Sequence, residues 1–322
     1  HLFTPTAPIV NCHASSLVQL PDGRYLVAWF RGREEGQDDV RIWTSVRDRG
    51  RWSAPRLVPA VRQAAHWNPV LFLDDQGRIQ LYFKVGPTVD TWQTWRCCSL
   101  DGGESWSDPT ELVPGDVGGR GPVKNKPIRL ADGTWLAPAS LEDRHGWRAF
   151  VDRSSDGGHT WVASPAITLD DHAGAGDGVI QPALWESAPG RVHMLLRSTR
   201  GVIYRSDSDD AGQSWSTPYR TDIPNNNSGL DVARLHDGTL ALVCNPVACT
   251  GLERHRRTPL SLFLSCDNGV SWTRRLDLER DEGEYSYPAI IPTATGMAIT
   301  YTWRRERIAF WLGSIERVPI IQ

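Results

Sequence analysis

An eight-residue phrase recurs four times in register and restricts what this chain can fold into. It reads Ser-Leu-Asp-Gly-Gly-Glu-Ser-Trp at 99–106 and Ser-Ser-Asp-Gly-Gly-His-Thr-Trp at 154–161. It returns as Ser-Asp-Asp-Ala-Gly-Gln-Ser-Trp at 208–215 and Ser-Cys-Asp-Asn-Gly-Val-Ser-Trp at 265–272. A degenerate copy, Asp48-Arg49-Gly50-Arg51-Trp52, precedes them. The closing residues Trp52, Trp106, Trp161, Trp215 and Trp272 are spaced by 54, 55, 54 and 57. A period of this size means stacked or radially arranged units. Within each copy the Asp can bond its own backbone, the Gly supplies positive φ, and the Trp is an apolar plug.

A second repeat lies between the first. Six times an apolar run meets a Gly turn and returns as another apolar run, at Asp22-Gly23, Gln76-Gly77, Asp132-Gly133, Pro189-Gly190, Asp237-Gly238 and Thr295-Gly296. Asp-Gly between alternating apolar stretches is a strong hairpin signal, and the octapeptide then falls between the third and fourth strand of each unit. No long stretch of helical period appears. Six units of four short strands predict an all-β, six-bladed β-propeller, with residues 1–322 as one domain. A solenoid is the competing architecture, but it needs capping units that the chain does not show. The sixth unit lacks an octapeptide; it ends in the expected strand 307–312, and residues 1–10 are expected to complete a sheet and close the ring.

The innermost strand of each blade should start at the mouth of the central channel, so polar groups there face one shared cavity. About ten positions before each hairpin Gly stand His13, His66 with Asn68, Lys124-Asn125-Lys126, Gln181, Asn227-Ser228 with Asp231, and Tyr285 with Tyr287. Seven residues after each Gly, where the second strand returns to that rim, stand Phe30, Lys84, Ser140, Arg197, Asn245 and Trp303. Arg31, Arg33, Glu34, Glu35, Asp38 and Asp39 follow the first of these. A cationic ring with carboxylates and aromatics suits an acidic sugar, because Arg matches a carboxylate bidentately and Trp stacks on a pyranose. Any one such residue is ordinarily a solvated strand end; the common register in six blades makes the case. Arg304, Arg305 and Arg307 read as a structural rim cluster.

A formal net charge of −3 argues against a nucleic-acid partner. No apolar run reaches membrane-span length. The chain opens at His1 without a leader-like segment, the expectation for a mature or trimmed form. Cys12, Cys97, Cys98, Cys244, Cys249 and Cys266 are too few for a disulfide scaffold, show no zinc spacing, and read as ordinary buried thiols. They leave the compartment open. Neither metal nor cofactor is expected.

The octapeptides resemble the Asp boxes of sialidases and their relatives, Ser-x-Asp-x-Gly-x-Ser/Thr-Trp, and the resemblance covers the whole chain. It implies a substrate carboxylate held by three Arg, a Tyr nucleophile assisted by a Glu, and an Asp acid/base. By that resemblance Arg197 and Arg257 match the second and third Arg, Tyr285 the nucleophile, and Asp38 or Asp39 the acid/base. Two positions depart. His13 stands where the first Arg belongs, and Gln181 where the assisting Glu belongs. A neutral Tyr suits a substrate whose carboxylate would repel an anionic nucleophile, but its unperturbed pKa of about 10 demands a base. His13 is then the expected base. Glu284 ranks below it, since strand neighbours point to opposite faces.

The leading expectation is an exo-acting glycoside hydrolase that removes a terminal sialic, other ulosonic or uronic acid. Its catalytic groups would be Tyr285, Asp38, Asp39 and His13. Its substrate contacts would be Arg33, His66, Asn68, Lys84, Lys124, Lys126, Gln181, Arg197, Asn227, Asp231, Arg257, Glu284 and Trp303. A polysaccharide lyase on a uronate, using a Tyr/His pair, is a second expectation, and a non-catalytic carbohydrate-binding propeller a third. The expected partner is an acidic glycan.

Overall fold

The computed structural model describes residues 1–2, 11–171, 174–248 and 255–314. They form six antiparallel sheets in chain order, each built from strands that pair with their sequence neighbours. The innermost strands of blades one, two, four, five and six are Asn11–Gln19, His66–Leu73, Val179–Ala188, Asp231–Arg234 and Tyr285–Thr293. Blade three begins with only Ile128–Arg129, so the polar segment 124–126 enters the channel ahead of its sheet. Blade one splits its outer strand into Arg51–Trp52 and Arg56–Leu57. Among the described residues blade six carries three strands, ending in Arg307–Gly313. The amide of Leu2 donates to Ile308 O at 3.0 Å, beside that last strand. Residues 3–10, also expected to close the ring, lie outside the described residues, as does Cys249.

Closure is visible in the inner strands. The innermost strand of blade one packs against those of blades two and six. It is tied to blade six by Ala14 N to Thr302 Oγ1 (3.2 Å) and Ser15 Oγ to Thr300 Oγ1 (3.0 Å).

The apolar residues explain why the blades stack. Six buried clusters occur, one at each blade–blade interface. The second strand of blade one, Tyr25–Gly32, feeds two of them by simple alternation: Leu26, Ala28 and Phe30 face blade two, while Tyr25, Val27 and Trp29 face blade six. A strand covered on both faces reads as a continuous apolar run, and each large side chain so buried is worth about 1.5–3 kcal/mol.

The octapeptides sit between third and fourth strands, on the face away from the channel mouth. In the first, Ser99 Oγ donates to Asp101 Oδ1 (2.8 Å) and accepts from Gly103 N (2.9 Å); Asp101 also accepts from Glu104 N, Ser105 N and Ser105 Oγ. The same pattern recurs around Asp156, Asp210 and Asp267. Arg96, Arg153 and Arg205, on third strands of the preceding blades, donate to the carbonyls of Gly158, Ala211 and Asn268. The repeat therefore clamps neighbouring blades together.

Of the thiols, Cys12, Cys97 and Cys244 are buried as expected, but Cys266 is exposed on an octapeptide turn.

Candidate functional site

The mouth owes its shape to a bulge repeated in four innermost strands. Register slips between His13 and Ser16, Trp67 and Val70, Ile180 and Ala183, and Ser286 and Ala289. The first unpaired residue in each is left-handed: Ala14 (φ 54°), Asn68 (43°), Gln181 (53°) and Tyr287 (50°). A bulge breaks strand alternation and re-aims a side chain. In blades four and six it delivers Gln181 and Tyr287 to the same point.

There the Tyr287 hydroxyl accepts from Arg197 Nη1 (3.2 Å) and Gln181 Nε2 (3.3 Å). Arg197 Nη1 also donates to Gln181 Oε1 (3.2 Å), and its Nε to Asn227 Oδ1 (2.7 Å). Every hydrogen bond of this guanidinium thus ends on a neutral group, and its outer face lies 5.7 Å from the centroid of half-buried Trp147. Cations surround the cluster. The ammonium of Lys124 is 5.9 Å from the Tyr287 ring centroid. The His13 ring packs at a tilt against Tyr287, with ring centroids 4.2 Å apart, and its Nδ1 meets Thr302 Oγ1 at 2.9 Å. Burial, joined by the charges of Arg305, Arg257, Lys124 and Arg197, holds the His13 imidazole well below its ordinary pKa. A ring that resists protonation this strongly is a weak proton acceptor, so the expected role of His13 as base loses its physical ground.

Arg305 corrects another expectation. Its Nη1 donates to Glu35 Oε2 (2.5 Å) and its Nε to Glu284 Oε1 (2.9 Å). Its backbone carbonyl accepts from Cys12 N, next to His13. Arg305 therefore belongs to the mouth rather than to an outer rim. Glu284 also accepts from Ser286 Oγ (3.1 Å). Arg257 stands near Arg197, Tyr287 and Glu284, and burial together with the neighbouring Arg197 charge lowers its pKa.

Below the mouth, the segment 124–126 pins the channel. Lys124 Nζ donates to Asn125 Oδ1, Leu230 O and Pro288 O. Asn125 reaches Gln181 O and Pro182 O. Lys126 Nζ meets both carboxylate oxygens of Asp231 (3.0 and 2.9 Å), and Asp231 accepts from Ile290 N. Blades three to six are tied by these bonds, and Lys124, Lys126 and Asp231 form the floor of the channel. Burial lowers Lys124 to about 7, with Asp231 opposing the shift.

Several expected contacts lie elsewhere. Tyr285 is 1 % exposed in the apolar cluster between blades five and six, its hydroxyl accepting from Arg304 Nε (3.2 Å). The tyrosine whose hydroxyl meets Arg197 and Gln181 at the mouth is Tyr287. The two ring nitrogens of His66 are spent on Ala64 O and Val61 N, and burial lowers its pKa to about 4. Lys84 is fully buried on Thr94 Oγ1 and Arg120 O. Asn68 binds Val123 O. Trp303 packs on Tyr285 and His1 (6.2 and 4.9 Å between centroids). Arg33, Asp38 and Asp39 form a local loop network: Arg33 Nε to Asp39 Oδ2 (2.9 Å), and Gln63 Nε2 to Asp38 Oδ2 (3.2 Å). Burial pushes Asp39 up, but the Arg33 hydrogen bonds outweigh it and hold the carboxyl low.

One carboxyl was missed. Glu142 is the penultimate residue of the second strand of blade three, Trp135–Asp143, on the same face as Ser140, whose Oγ accepts from Gln181 N (3.4 Å). It is half-buried; burial raises its pKa, opposed by the Arg197 charge. Its signal in the sequence was position: Glu142 and Arg305 each stand two residues beyond the aligned rim residues Ser140 and Trp303. Among the described residues no three His, Cys, Asp or Glu side chains converge as a metal site.

The profile of the BNR repeat-like domain family matches residues 23–299. No curated protein matches the sequence. Solved structures do. A Hadza microbial sialidase is 17% identical with a TM-score of 0.79, over 96% of this chain and 66% of its own length. A protein of unknown function from Dyadobacter fermentans is 16% identical with a TM-score of 0.78, over 94% of each chain. The NanB sialidase from Streptococcus pneumoniae is 15% identical with a TM-score of 0.71, over 96% of this chain and 69% of that one. At such identities the likeness is one of fold: a sialidase-like propeller.

Proposed function

The chain belongs to the BNR repeat-like domain family, and on that premise we propose that it is an exo-acting glycoside hydrolase for a terminal acidic sugar. The observation that carries this reading is the Tyr287 hydroxyl, held by Arg197 and Gln181 inside a ring of cations. Two donors and nearby positive charge favour negative charge gathering on that oxygen, as a phenol nucleophile requires. Arg197 and Arg257 take the sugar carboxylate, Trp147 and Asn227 the ring and its hydroxyls.

Glu142 takes the place of the carboxylate missing at Gln181. A carboxyl raised toward neutrality is matched to accepting a phenolic proton. The Tyr287 oxygen bonds to the anomeric carbon as its proton passes to Glu142; the glycosidic C–O bond breaks, and the departing oxygen takes a proton from Asp38 on the loop above. Water then cleaves the aryl glycoside, returning the protons. Asp39, held ionised by Arg33, is the poorer acid.

The test is incubation with a panel of aryl glycosides and acidic oligosaccharides followed by NMR. Release of a free acidic sugar is expected, with an acid limb of kcat/KM above the usual carboxylate range of about 4.3 that Glu142→Gln abolishes along with most turnover. A 4,5-unsaturated uronate signal would mean lyase chemistry. Gln181, where a carboxylate would serve catalysis better, favours one other reading, a binding propeller; saturable binding without turnover of any panel member would support it.

A further inference from the structure

We infer that Arg305 is a ligand for the substrate carboxylate and that Glu35 is the internal carboxylate holding its place, so that an acidic sugar enters by displacing Glu35. This rests on the acidic-sugar reading of the mouth.

The backbone supplies the first argument. The turn from Gly296–Trp303 to Arg307–Gly313 sets Arg304 at φ 52° and Arg305 at φ 57°, with Glu306 N donating to Trp303 O (3.0 Å). Among the described residues they are the only two consecutive non-glycine positions with positive φ. Such a turn is relaxed with Asn-Gly, and two arginines occupy it against local preference. Strain of this kind persists where the surroundings over-determine it, and here they aim one guanidinium at the mouth. The carbonyl of Arg305 is fastened to Cys12 N, which ties the turn to the residue before His13, and the guanidinium charge is felt by the His13 ring.

Charge supplies the second. Arg197, Arg257, Arg305 and Lys124 crowd around the neutral His13. Against them stand few carboxylates, and the two on Arg305 are unequal. Glu284 is anchored by Ser286 Oγ and by its backbone bridge to Arg257. Glu35 sits on a loop and its side chain makes one hydrogen bond, the 2.5 Å contact to Arg305. That pair is about one-third exposed on both sides (28% and 32%), so exchanging one carboxylate for another there is cheap. A neutral sugar has nothing to offer in exchange, so Glu35 screens against it. Release of Glu35 also frees the loop tip, where Gly36 lies against the Trp67 indole.

Calorimetric titration with N-acetylneuraminic acid and glucuronic acid, each beside its neutral methyl ester, tests the exchange. Glu35→Gln should tighten the acids about threefold to tenfold and leave the esters unchanged, while Arg305→Met weakens the acids about tenfold or more and Arg305→Lys less. Amide exchange across 33–39 should rise when an acid binds the native chain and stand already high in Glu35→Gln; this readout remains if Arg305→Met folds poorly. Affinity lost in Arg197→Met but unmoved or weakened by Glu35→Gln, with exchange unchanged, overturns the role of Arg305 and Glu35 and leaves the acidic-sugar reading in place. If neither the native chain nor Glu35→Gln binds any acid, the acidic-sugar reading itself falls and takes this inference with it.

Discussion

The two faces of the propeller treat charge in opposite ways. On the far face each octapeptide Asp is satisfied by its own turn: Asp210 accepts from Ser208 Oγ, Gln213 N, Ser214 N and Ser214 Oγ, all within four residues of it. At the mouth, Arg197 from blade four, Arg305 from blade six and Lys124 from the blade-three approach converge on His13 from blade one, and the carboxylates that oppose them, Glu35 and Glu284 on Arg305, come from other turns and blades. The first arrangement is complete without a ligand; the second concentrates positive potential that a ligand would discharge. Regularity in the sequence therefore marks the scaffold, and departure from it marks the site.

The sharpest way to break this contrast is to exchange the tyrosines. On the substrate that the glycoside panel identifies, Tyr287→Phe should lower kcat/KM by about 10²–10⁴-fold with little change in melting temperature. Tyr285→Phe removes only the hydroxyl that accepts from Arg304, and should leave kcat/KM within about threefold. The reverse ranking in steady-state kinetics would return the nucleophile to Tyr285 and dissolve the cluster around Arg197.

Next in size is damage to the far face alone. Asp210→Ala strips four hydrogen bonds from one turn. By analogy with the loss of a side-chain cap on backbone amides, the cost should be about 1 kcal/mol in urea unfolding, with turnover unaltered. Loss of activity in step with stability would mean that the two faces are not independent.

The same contrast explains what could be read from the sequence alone. Hairpin glycines and octapeptides depend on short-range backbone chemistry, so six blades, their strand order and the far-face clamp were all visible, as was the rim register of Arg197, Gln181 and Asn227. Tyr285 was matched to the nucleophile by resemblance alone, and alternation along the strand puts Tyr285 and Tyr287 on one face; the bulge between Ser286 and Ala289 is what separates them and turns Tyr287 to the mouth. A clue existed: Pro69, Pro182 and Pro288 each stand eight residues before Gly77, Gly190 and Gly296, and each follows a left-handed residue of a bulge. The roles of Arg305 and Glu142 depend on contacts between blades far apart in sequence, which spacing within one blade does not report. His66 and Lys84 were at the right register, yet their side chains satisfy themselves on backbone and Thr94 in the blade walls.

The smallest expected effect separates the faces by pH. Hydrogen bonds from Ser105, with burial opposing, hold Asp101 down to about 2, and those from Ser271 do the same for Asp267. The unfolded chain titrates such groups near 3.9, so the stability they contribute is complete above about pH 4 and is lost as pH falls through 2. Lys124 behaves oppositely: burial lowers it to about 7 against about 10.4 unfolded, so between those values the unfolded chain holds the proton and stability rises with pH. The difference in urea midpoint between the native chain and Asp101→Asn should therefore be largest near pH 5, shrink toward pH 2 and stay flat from pH 5 to 9. Because Asp101 is exposed, the shift should be a few tenths of a molar at most. A difference that does not change between pH 5 and 2 would show that the turn needs an oxygen acceptor at this position but not its charge, leaving the mouth as the one face whose stability is governed by electrostatics.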